Sequence, residues 1–163
     1  MGKFKEQKRS EISEGKEKGD AGIAKGEQRV RELQSIKSQI DTLYFQDEID
    51  KQQKEALEQS YLQAGRAAHE SEVESVVESA RGDLEVNKEE ISAERTNVEN
   101  AIDRVGDMQG TTDLARNEAR NVERNLQVSS NEYKDMETVT ENIEAEQEQK
   151  SQNILNRIES IFG

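Results

Sequence analysis

In the last third of the chain, positions recurring in alternating steps of four and three are mostly apolar. They run Ala115, Ala119, Val122, Leu126, Ser129, Tyr133, Met136, Thr140, Ile143, Gln147, Lys150, Ile154, Arg157 and Ile161. No Gly or Pro interrupts residues 115–162, so the spacing predicts one long helix with a coiled-coil-like seam. At ~1.5 Å per residue it would span roughly 70 Å. A lone helix buries almost nothing. The rest of the chain must therefore supply helices that lie along it.

The preceding segments carry the matching periodicity. Leu84, Ile91, Val98 and Val105 fall every seven residues, with Val73, Val77, Ala80 and Ile102 in register. That register continues through Gly82. Ser71 and Glu74 have the spacing of a capping box at the start of this helix. Gly106 to Thr112 reads as a turn, with Thr111, Thr112 or Asp113 capping the last helix. Ala56, Leu57, Tyr61, Ala64 and Ala68 mark a shorter helix with a small-residue face, behind a turn or N-cap at Asp47 to Asp50. Val30, Leu33, Ile36, Ile40 and Leu43 form the face of the first helix, and Gly15, Gly19, Gly22 and Gly26 continue that face towards the N-terminus. Each Gly costs about 1 kcal/mol against Ala in a helix interior. The stripe is therefore either a smooth groove for close backbone approach or part of a flexible leader.

The expected fold is all-α, an elongated antiparallel helical bundle of coiled-coil hairpins. It has about four long helices, near 12–45, 48–69, 72–107 and 112–162, with the third and fourth as the firmest pair. Short connections set neighbours antiparallel. Residues 1–10, with Lys3, Lys5, Lys8, Arg9 and the one apolar anchor Phe4, read as a disordered basic N-terminus. Residues 11–163 read as a single domain.

Composition sharpens this picture. Of 163 residues, 31% are hydrophobic and 36% charged, with no Pro, Cys or Trp. A compact globule carries roughly 45–50% apolar residues, so a thin helical seam fits better than a thick core. Net charge is −13, which disfavours binding to a phosphate backbone. No apolar run approaches a membrane span and no signal-peptide core is evident. The expected location is therefore the cytoplasm, or the exterior by a route needing no such peptide.

Catalytic chemistry finds few residues to use. There is no Cys, and His69 is the only histidine; it reads as a solvated residue at a helix end. Paired Glu-x-x-His motifs for a di-metal bundle are missing, and the acidic runs lack calcium-loop spacing. The chain is expected to use no catalytic residues, metal or cofactor. It should work by helix packing, with a protein partner or as a homo-oligomer. The polar seam residues Ser129, Thr140, Gln147 and Lys150 argue for such a partner, because a single bundle would rather not bury them. The candidate surfaces are the glycine stripe and the apolar C-terminal face of Ile154, Ile158, Ile161 and Phe162. That face either caps the core or is offered to a partner groove.

Tyr133-x-x-x-Glu137, and likewise Tyr44-x-x-x-Glu48, match the Tyr-x-x-x-Asp/Glu export pattern. In this, and in its small, acidic, Cys-free helical character, the chain resembles the helical substrates and partners of bacterial type VII secretion. The Trp-x-Gly turn of that family is absent, since there is no Trp. The resemblance implies a secretion-associated targeting module or partner, with Tyr133 and Glu137 facing the machinery. The rival expectation is a cytoplasmic or phage-type coiled-coil scaffold, or a filament subunit, acting by self-assembly.

Overall fold

A computed structural model describes residues 2–107 and 112–163. Four α-helical segments follow in order, α1 (Gly2–Phe45), α2 (Lys51–His69), α3 (Ser75–Asp107) and α4 (Asp113–Phe162), and because α2 continues into α3 they make three long helices rather than the four expected. Among the described residues there are no strands, and the fold is an all-α bundle. Of the turn expected at Gly106 to Thr112, residues 108–111 lie outside the described residues. Thr112 is the cap of α4, its hydroxyl accepting from the Ala115 amide at 3.2 Å.

The helix boundaries follow local chemistry. Asp50 caps α2 in a reciprocal box: Gln53 N donates to its carboxylate at 2.7 Å, and its own amide donates to the Gln53 side chain at 2.9 Å. Asp47, in the left-handed region at φ 58°, ends α1. The Glu48 and Asp47 amides bond back to Leu43 O and Tyr44 O, the paired bonds of a Schellman ending.

Two expectations about the elements need correction. Ser71 and Glu74 start no helix. They lie in a π-helical turn, Glu70–Glu74, that joins α2 to α3 without a break, and the Ser71 hydroxyl donates to Ala68 O at 3.3 Å. The buried positions Gly65, His69, Val73 and Val77 explain the turn. Three successive steps of four carry one residue more than a 4-3-4 stripe, and a π-turn absorbs the extra residue so that the buried face stays aligned. His69 is accordingly not a solvated helix end but is 2% exposed. The N-terminal stretch expected to be disordered is helical from Gly2. Phe4 packs edge-on against Tyr133 with ring centroids 6.0 Å apart, which gives the first turns a tertiary anchor.

Contacts divide the chain into two compact units: Met1–Ser13 with Asp83–Ile143, and Glu14–Gly82 with Glu144–Gly163. In the first, the core is Ile12, Leu84, Ile91, Val98, Tyr133, Met136 and Ile143. Cross-helix pairs climb on α3 as they descend on α4: Lys88–Glu141 at 2.9 Å and Arg95–Glu137 at 3.0 Å, then a Ser130–Glu99 hydrogen bond at 3.4 Å. The two helices are therefore antiparallel. In the second unit, Ile23, Val30, Leu33, Leu62, Val73, Val77, Ile154 and Ile158 form the core. There α1 and α2 are antiparallel, with Lys37–Glu58 and Lys54–Asp41 pairs. By contrast, α1 and α4 run parallel, since Gln147 meets Lys16 and Arg157 meets Glu27. The antiparallel rule holds for α1–α2 and α3–α4, but α2 and α3 run on in one direction as a single long helix, and α1 and α4 are parallel.

Candidate functional site

The glycine stripe lies inside the second unit, against the chain's own helices. Gly15, Gly19, Gly22 and Gly26 are all buried. A Cβ on Gly22 would lie 2.9 Å from Val76 Cγ1, and one on Gly26 would lie 2.9 Å from both Ile154 Cδ1 and Val73 Cγ2. Gly65 of α2 answers in kind, since a Cβ there would lie 2.9 Å from Leu33 Cδ1. At Gly19 the space is filled by the Gln147 side chain. Its Nε2 donates to Lys16 O at 2.9 Å and to Asp20 Oδ1 at 3.3 Å. Hydrogen bonds of this kind keep a buried carboxamide from costing its full desolvation.

The other polar seam residues also find partners within the chain. Ser129 accepts from Lys5 Nζ at 2.8 Å, Thr140 donates to Met136 O at 2.9 Å, and Lys150 lies exposed beside Glu146 at 2.9 Å. None of them is left to call for a second chain.

The chemically suggestive cluster surrounds His69. Ser151 Oγ lies 3.3 Å from His69 Nε2, and Glu74 Oε1 is 3.6 Å from the same nitrogen. Nδ1 is buried with no hydrogen-bond partner. A Ser–His couple in nucleophilic catalysis relies on a third group that orients the imidazole. Here the carboxylate sits on the serine side of the ring, and both Ser151 and His69 are buried. Burial holds the His69 pKa below its ordinary value, against the opposing pull of Glu74, so the imidazole is kept neutral. Beside the cluster, between α3 and α4, a groove of about 450 Å³ is lined by Glu74, Glu78, Arg81, Glu144 and Glu148. Arg81 reaches Glu148 at 3.2 Å and Glu144 at 3.7 Å. Among the described residues, no group of three or more His, Asp or Glu is placed to hold a metal ion, and no helix is long and apolar enough to cross a membrane.

Tyr133 and Glu137 sit in the first unit. Tyr133 is 1% exposed, under Phe4 and with Lys5 Nζ 5.3 Å from its ring centroid. Burial, with the carboxylates of Glu94 and Glu132 nearby, raises its phenol pKa. Glu137 accepts from Ser92 Oγ at 2.7 Å and from Arg95 Nε at 3.0 Å. Tyr133 therefore packs under α1, while Glu137 ties α4 to α3. Ile154 and Ile158 are fully buried, and Ile161 and Phe162 pack partly buried against the same core.

Sequence reasoning gave no role to Phe45 or Leu114, and it placed Val122 in the seam, yet all three are exposed. Phe45 is 90% exposed beside Tyr44 at the α1–α2 turn, and Leu114 and Val122 are exposed in the first part of α4. The only signal for Phe45 and Leu114 was their place at helix ends next to turns. No protein-family model, curated protein or solved structure matches the chain.

Proposed function

We propose that the chain is a non-catalytic helical interaction protein, which works by packing exposed apolar side chains onto another protein surface. The observation that carries this reading is the aromatic group at the α1–α2 turn. Phe45 is 90% exposed, and its neighbour Tyr44 40%. Large aromatic side chains left in water are the common anchors of interfaces. The enclosure of the Ser151–His69 couple supports the non-catalytic part of the reading. A photo-cross-linking residue at position 45 should capture a discrete partner in the native host, and Tyr44→Ser/Phe45→Ser should lose that partner without lowering the melting temperature. A double variant that keeps every partner would overturn this surface.

The secretion-associated form of the reading rests on Tyr44-x-x-x-Glu48, because both residues are exposed whereas Tyr133 is enclosed. In a host with a type VII system, Tyr44→Ala should abolish export of a well-folded chain. Unchanged export would remove the secretion reading and leave the self-assembling scaffold.

A further inference from the structure

Within the first unit, residues 2–13 of α1 meet the α3–α4 seam through charge more than through apolar contact. Lys5 Nζ donates to Ser129 Oγ at 2.8 Å and pairs with Glu132 at 2.9 Å, and Arg9 reaches the same carboxylate at 3.6 Å. Lys8, only 3% exposed, pairs with Glu90 of α3. From this segment only Phe4 and Ile12 join the apolar core. Positions 4, 5, 8 and 12 lie within about 100° of one another around the helix, so one face carries all these contacts. The charge contrast extends beyond the pairs themselves. Residues 1–13 hold four basic and two acidic side chains, whereas residues 83–143 hold seven basic and fifteen acidic.

The segment leaves one group of its seat unanswered. Asn87, 2% exposed on α3, donates through Nδ2 to Lys8 O at 3.2 Å, but its Oδ1 is buried with no hydrogen-bond partner. A buried acceptor without a donor is costly. Residues 2–13 thus fill the seat without satisfying it, and a helix carrying a donor at that level would hold it better.

We infer that this seat is a docking site for a basic amphipathic helix of a partner protein, and that residues 2–13 occupy it as a displaceable strap. Charge complementarity defines the occupant. It carries an aromatic side chain, cations one, four and five positions later, and an aliphatic side chain eight positions later, as Phe4, Lys5, Lys8, Arg9 and Ile12 do. The strap can yield because two apolar side chains give it little to hold by. Glu132 and Glu90 are 37% and 52% exposed, so salt reaches both anchors. Gly15 follows closely, where helix propensity falls. This surface is separate from Phe45 and does not rest on it.

Hydrogen exchange of the full chain should show residues 2–13 opening about tenfold more often than residues 129–143, and more often again as salt rises from about 50 mM to about 500 mM. A fluorescent peptide of residues 2–14, followed by polarisation, tests docking in trans. Lys5→Glu/Lys8→Glu drives the strap away from Glu132 and Glu90. That variant should bind the peptide about tenfold or more tighter than the parent, whose own strap competes. A peptide with Lys5, Lys8 and Arg9 replaced by Glu should bind neither chain. Should circular dichroism show that the variant loses helicity beyond residues 2–13, exchange in the parent decides alone. Residues 2–13 as protected as 129–143 at high salt, or a folded variant that takes the peptide no better than the parent, would overturn the inference. A parent dimer in sedimentation that the same variant abolishes would also overturn it, by making the occupant a second copy's strap. The Phe45 reading fails separately, on its own cross-link.

Discussion

The two units solve the same packing problem with opposite materials. In Met1–Ser13 with Asp83–Ile143, large side chains fill the space between helices: Leu84, Ile91, Tyr133 and Met136, with Phe4 against the tyrosine. In Glu14–Gly82 with Glu144–Gly163, Gly22, Gly26 and Gly65 remove side chains so that Val76, Val73, Ile154 and Leu33 can press close to a bare backbone. A thin core can thus be sealed by filling or by closing up. The two kinds of core should fail differently, the first by cavity and the second by overpacking.

The largest effect is expected in the filled unit. Tyr133→Ala leaves a void the size of a buried aromatic ring, and substitutions of this kind cost about 3–5 kcal/mol. Chemical denaturation should show a fall of that size. A loss below about 1 kcal/mol would mean that Phe4 and Lys5 collapse into the space, and that the aromatic pair is not what closes this core.

The closed-up unit is probed by adding one methyl. Gly26→Ala places a Cβ 2.9 Å from Ile154 and Val73, for a cost of about 1–3 kcal/mol that exceeds the ~1 kcal/mol regained in helix propensity. Gly82 gives the control, because a Cβ there meets nothing within 4 Å. Gly82→Ala should stabilise by about 1 kcal/mol. Thermal melts of the two variants should move in opposite directions, and two upward shifts would show that the stripe has room to spare.

The smallest effect concerns pH. Burial lowers the folded-state pKa of His69, so between that value and the unfolded value near 6.5 the unfolded chain binds more protons. Stability then rises with pH through this window and is lost as pH falls below about 6.5. The groups facing the ring include Glu74 and Ser151, and Arg29 and Glu72 line the same small crevice. Melting temperature followed from about pH 8 to about pH 5 should fall at the acid end, and His69→Gln should flatten that fall. An equal acid loss in the variant would place its origin in the carboxylates, of which Asp20 is one whose folded pKa is lowered: burial would raise it, but Lys16 and Gln147 outweigh that.

The sequence by itself determined the helices and their faces. The unbroken heptads specified α3 and α4, the phase of the glycines with Val30, Leu33 and Ile40 carried α1 through a costly stretch, and Asp47 to Asp50 marked the turn. These are local matters of periodicity, capping and propensity, and each is written within a few residues of where it acts. Tertiary structure alone decided which surface each face meets. Tyr133 and Glu137 have the same spacing whether the tyrosine is offered to a partner or enclosed under Phe4. The four-residue steps from Gly65 to Val77 make sense only once the buried face is known, and that face decided that α2 runs on into α3 through a π-turn. Val122 occupies the same kind of seam position as Tyr133, yet it is 47% exposed while Tyr133 lies under Phe4. Periodicity reports the angle of a side chain around its own helix; whether another helix stands at that angle depends on residues more than a hundred positions away.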